Sequence, residues 1–154
     1  MEPSHPAIDS IKNVLNFYVK DLGALPEEAI FKSFGPKVRT VADIVYEVTL
    51  VNDHIGQALR GEPQFEWPDG WVKAPAEWNT KQVVIDTFKT SLEKQIATLE
   101  TFLPDNMDQV MVNEGKETTP ASQARFMGIH LWYHLGQINF VQTLIGDEEM
   151  HWHD

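Results

Sequence analysis

The chain has 154 residues and a mass of 17.6 kDa, enough for one core that buries roughly two-thirds of the unfolded surface. Cysteine is absent, which excludes disulfides, thiolate metal sites and cysteine nucleophiles by arithmetic. Lys plus Arg number 12 against 23 Asp plus Glu, a net charge of -11, so phosphate backbones are poor partners, and no apolar run approaches the ~20 residues that span a bilayer.

The opening residues, Met-Glu-Pro-Ser-His-Pro, lack the basic and then apolar order of a signal peptide, so a cytoplasmic protein is expected. From Ala7 to Leu22, the residues Ile8, Ile11, Leu15, Tyr18 and Leu22 recur at steps of three and four, the stripe of an amphipathic helix that Gly23 ends. Pro26-Glu27-Glu28 then predicts a short connecting helix to Phe31 or Phe34, stopped by Gly35-Pro36.

Thr40, with Asp43 three residues on, is a helix cap. Val41, Ile44, Val48, Val51, Ile55 and Leu59 follow at helical spacing until Gly61. From Glu62 to Trp78 three prolines, Gly70 and three tryptophans (Trp67, Trp71, Trp78) show no period, and predict a long loop anchored by aromatic rings. A third long helix starts near Asn79 or Thr80 and ends before Pro104, with Val83, Val84, Phe88, Leu92, Ile96, Leu99 and Leu103 buried. Met107, Val110 and Val112 before Asn113-Glu114-Gly115 suggest a small hairpin.

The last helix has Thr119 as cap, Pro120 at its first position, an apolar run to Ile145 and Gly146 as stop. Four long helices and no repeats predict an all-α fold, a four-helix bundle with a long crossover forming one domain over 1–154.

Three of the six histidines, His54, His130 and His134, fall inside these helices. His130 and His134 are four residues apart, turned about 40° from one another, so both imidazoles can reach one point. His54 lies at the margin of its helix's apolar stripe and can also face the bundle interior. Three imidazoles in one interior are hard to satisfy with hydrogen bonds alone. The residues leave two readings open, a metal site and a core that the histidines merely fill.

The run His130-Leu-Trp-Tyr-His134-Leu-Gly136-Gln137-Ile138 resembles the signature of the DinB and YfiT-like superfamily, whose last helix carries two histidines at this spacing followed by Arg-Gly-Gln. The stretch from Thr40 to Leu59, with His54, looks like the helix that supplies the first histidine ligand. The resemblance covers nearly the whole chain. It implies that His54, His130 and His134 bind one divalent metal (Zn, Ni, Fe or Co), with remaining positions open to water or substrate. Leu135 stands where Arg is common. The resemblance further implies a small-molecule substrate and reactions such as metal-dependent thiol transfer, in which a low-molecular-weight thiol is the cosubstrate. A non-catalytic metal or small-ligand binding module, dimeric, is the alternative.

Other metal chemistries fail on the letters. A zincin needs Glu after its first His, where Leu131 stands, and a di-iron bundle needs Glu-x-x-His on two helices, whereas none of the long helices carries it and Glu148 to His151 lies past Gly146. His151 and His153 belong to an acidic tail expected to be solvated. Catalytic residues are not assignable from the sequence. Glu47, two turns before His54 on nearly the same face, and Gln137, seven residues after His130, are candidates to support the metal ligands through hydrogen bonds. A second apolar stripe, Ile129, Trp132, Tyr133, Gly136 and Phe140, runs along the side of the last helix away from the histidines and predicts a homodimer, unless the loop of 62–78 covers it.

Overall fold

The computed structural model describes residues 1–153. Four long helices enclose the core: α1 (Pro6–Ala24), α3 (Val41–Leu59), α4 (Lys81–Glu100) and α5 (Pro120–Leu144). A single-turn helix, α2 (Glu27–Phe31), links α1 to α3, and a two-stranded hairpin, β1 (Met111–Asn113) and β2 (Lys116–Thr118), precedes α5. The all-α bundle and the hairpin agree with the sequence pattern.

Caps fix where the helices start. The hydroxyls of Thr40, Thr80 and Thr119 accept from the backbone N–H three residues on, at 3.0, 3.1 and 3.0 Å, each satisfying a donor the helix cannot. The ends differ slightly from the sequence reading. Helix α1 runs through Gly23 to Ala24, and α4 stops at Glu100, short of Pro104. Pro26 caps α2 rather than entering it. In the hairpin Met111 pairs with Thr118 and Asn113 with Lys116, across a turn whose Glu114 and Gly115 both have positive φ, 51° and 74°.

Around the bundle the order is α1, α5, α3, α4, each helix packing on its neighbours in that ring. Asp53 of α3 accepts from Ser91 and Gln95 of α4, and Arg60 at the end of α3 donates to Gln95 and Thr98, so α3 and α4 run parallel. A parallel pair needs a connection as long as the bundle, which explains the loop of residues 60–80. Tyr18 of α1 donates to the Leu131 carbonyl of α5 and Asp21 accepts from Asn139, so these two helices are also parallel. Tyr18 stacks on Phe88 of α4 at 4.6 Å and both rings are fully buried. The direction of Lys12–Glu100 and of Lys81 against Gly23 makes α1 antiparallel to α4. Hence α3 and α5 are antiparallel, and their shared face carries the site.

The C-terminal tail departs from expectation. Trp152 stacks on Phe17 at 4.4 Å and donates to Asp21 at 2.9 Å, so the tail docks on α1. Trp132 also turns inward, toward Phe17 and Trp152, with its Nε1 donating to Ser10 at 3.2 Å. It therefore leaves the second apolar stripe.

Candidate metal centre

The antiparallel face of α3 and α5 brings together Glu47, His130 and His134, whose ligand atoms all lie within 4.8 Å of one another. Position follows from helix geometry. His130 and His134 occupy successive turns of one face of α5, and Glu47 meets them from the first half of α3. The two Nε2 atoms stand 3.1 Å apart, and Glu47 Oε2 lies 3.9 Å from His134 Nε2.

Tautomers follow from the partners. His134 Nδ1 lies 2.6 Å from Gln137 Oε1, an atom that can only accept, so Nδ1 carries the proton and Nε2 turns a lone pair into the group. His130 Nε2 then donates to that lone pair. His130 Nδ1 is buried and has no protein partner. Burial, followed by repulsion from a protonated His134, lowers the pKa of His130 to about 4, against the opposing pull of Glu47. Burial also lowers that of His134, although the Gln137 hydrogen bond and Glu47 work the other way. Both rings are therefore neutral at pH 7, the state a metal requires.

His54 does not join this group. Its Nδ1 accepts from Gln64 Nε2 at 3.0 Å, the same amide donates to the His54 carbonyl at 2.9 Å, and the ring packs edge-on against Phe65 and Trp67. With Nδ1 accepting, the neutral ring carries its proton on Nε2. Here His54 pins the long crossover loop to α3, as do Gln57, which accepts from the Phe65 N–H, and Asp43, which accepts from that of Ala74. Seven residues separate His54 from Glu47, about 10 Å along the helix axis.

Arg39, just before the α3 cap, was not singled out by any motif. Its Nη1 contacts Glu47 Oε2, and its guanidinium lies over the Trp71 ring, 4.5 Å from the centroid. Beside it opens a cleft of about 700 Å3 between the segment 34–39, Trp71 and the outer face of α5, reaching Gln137. That volume suits a small organic molecule. A second group of possible ligands, Asp147, Glu149 and His151, lies in the tail, where Asp147 pairs with His151 at 2.8 Å. His151 is held above its ordinary pKa by that carboxylate, so the pair is an ordinary charged contact.

Along the outer face of α5, Phe126, Ile129, Tyr133 and Phe140 remain 55–66% exposed. The crossover loop does not bury this row, because Trp71 itself is 73% exposed. No helix of the described residues is long and apolar enough to cross a membrane.

A family profile of the DinB superfamily matches residues 14–138, a span that contains Arg39, Glu47, His130, His134 and Gln137. The chain belongs to the DinB superfamily. A search of the curated proteins finds no match.

Proposed function

We propose that this DinB-superfamily protein holds one divalent transition metal (Zn, Ni, Fe or Co) on His130, His134 and Glu47 and uses it on a small molecule entering from the adjoining cleft. The convergence of the two Nε2 atoms at 3.1 Å carries this reading, since two ligands at about 2.1 Å from a tetrahedral ion are about 3.4 Å apart. The donor set, two imidazoles and a carboxylate, is one that holds catalytic zinc elsewhere and leaves a coordination position open. Gln137 fixes the His134 ring in the tautomer that offers Nε2. To offer its own Nε2 to the ion, His130 would have to move the proton it shares with His134 to Nδ1, the buried atom without a protein partner. A metal in this place supplies Lewis acidity, lowering the pKa of a bound water or thiol.

The reaction class we favour is thiol-dependent group transfer. A chain without cysteine has to receive its thiol as a cosubstrate, and the cleft has the volume for one. His54 is left to the loop in this account. In place of the three-histidine set it puts Glu47, which meets the histidines where His54 does not.

Metal analysis of untagged protein tests the first part, with one ion per chain expected and none contradicting it. Adding glutathione, cysteine or bacillithiol to the Co-substituted protein tests the second. A sulfur-to-metal charge-transfer band and metal-dependent conjugation of an electrophile are expected. A loaded protein that shows neither is a binding module.

The homodimer belongs to the same proposal. Of the exposed row on α5, Tyr133 and Phe140 also line the cleft, so the contact surface centres on Phe126 and Ile129, an exposed apolar pair of the kind that marks a contact. Light scattering at micromolar concentration should report twice 17.6 kDa, and Ile129→Asp should return the monomer. A wild-type monomer rejects the dimer.

A further inference from the structure

Two groups compete for one oxygen. Glu47 Oε2 contacts Arg39 Nη1 and is also the carboxylate atom nearest His134 Nε2, at 3.9 Å. Arg39 therefore occupies the side of Glu47 that a cation on the histidines would share. Its guanidinium is steadied by the face of Trp71, a ring that also lines the cleft.

The cleft reverses the charge of the molecule around it. The chain carries a net -11, yet the residues lining this cleft include Lys37 and Arg39 and no carboxylate. The remaining walls are largely apolar, with Phe34, Trp71, Phe140 and Leu144 prominent. Apolar walls with two cations at one side select an amphipathic anion.

We propose that the cleft binds an organic anion with an apolar body and a single carboxylate or sulfonate, and that Arg39 couples this binding to occupation of Glu47. While Arg39 is paired with Glu47, its charge is neutralised and part of its donor fork is used. A cation on Glu47 takes the shared oxygen and repels the guanidinium, which then turns its donors to the cleft, where its planar fork matches a carboxylate or sulfonate. The coupling runs in both directions, so the anion strengthens metal binding by the same factor. The inference deepens the metal reading by naming the class of ligand. The role given to Arg39 can be tested without metal, because removing the charge of Glu47 frees the guanidinium as well.

The probe is 1-anilinonaphthalene-8-sulfonate, read by fluorescence, with uncharged N-phenyl-1-naphthylamine as the control for apolar binding. Circular dichroism and thermal unfolding first establish that each variant is folded. In metal-free protein, Glu47→Gln should bind the sulfonate about fivefold or more tightly than wild type, with the neutral probe unchanged. Zinc, with stoichiometry measured separately, should produce a similar gain in wild type and none in Arg39→Gln. Failure of zinc to bind would defeat the metal reading while the Glu47→Gln comparison still decides the role of Arg39. Equal sulfonate binding by wild type and Glu47→Gln would overturn the proposal. So would a zinc-dependent gain that persists in Arg39→Gln, because it would place the anion on the metal itself.

Discussion

Gln137 is the residue whose replacement reads the metal group most selectively. Its Oε1 accepts a hydrogen bond from His134 Nδ1–H at 2.6 Å, on a ring only 4% exposed. Gln137→Met keeps the length of the side chain and removes the acceptor. The His134 ring then loses both its orientation and the bond that fixes its tautomer, and its Nδ1–H is left buried without a partner. Loss of such a supporting hydrogen bond weakens metal affinity by about 10 to 100-fold, or roughly 1.4–2.7 kcal/mol. The unpaired donor separately costs about 1–3 kcal/mol of folding stability. Gln137→Glu should act in the opposite sense on affinity, because a carboxylate accepts the same proton more strongly and makes Nε2 a better donor to the ion. Competition against a chromophoric zinc chelator at pH 7.5 measures both variants, and urea unfolding measures stability. Equal zinc affinity in wild type, Gln137→Met and Gln137→Glu would refute the orienting role and leave Gln137 as packing.

Gly56→Ala is expected to destabilise the fold by about 2–3 kcal/mol in urea unfolding. The new Cβ would overlap the amide end of Gln95, which is fully buried and bonded to both Arg60 and Asp53, so the side chain can move aside only by giving up those bonds. That cost outweighs the gain of about 1 kcal/mol from replacing a helical glycine. A neutral or stabilising Gly56→Ala would show that Gln95 yields. The metal-free protein should also lose stability as pH falls from about 6.5 to 4. In that window the unfolded chain holds His130 protonated while the folded chain, with its pKa at about 4, does not, so stability is complete above 6.5 and falls below it. Allowing for partial solvent access to the ring, the loss is of order 1–2 kcal/mol, and it should be missing from His130→Leu. Equal pH slopes in both proteins would contradict the buried neutral imidazole.

The helices were legible because their signals are local. Thr40, Thr80 and Thr119 cap helices through bonds that span three residues, and Gly61 and Gly146 follow the helix ends with positive φ, 67° and 87°. His130 and His134 were legible for the same reason, since a four-residue spacing on one helix places both rings without knowledge of any other element. The third member of the group depends on how far α3 slides along α5, and periodicity carries no information about axial register. It showed that Glu47 and His54 share a face, seven residues apart, but not which of them stands level with the histidines. Trp132 illustrates the same limit. Its place in an apolar stripe gave no sign that Phe17 and the tail's Trp152 would draw it inward. Arg39 was illegible because it lies in a connection and acts through Glu47 and Trp71, partners that only the folded chain assembles.

X-ray absorption fine structure at the zinc edge of the loaded protein tests the ligand assignment most directly, because it counts imidazoles around the ion. Two imidazoles with oxygen donors are expected in wild type, an unchanged spectrum and one zinc per chain in His54→Ala, and loss of zinc in Glu47→Gln with His130→Ala. Three imidazoles in wild type, falling to two in His54→Ala, would contradict the account and return the third position to His54.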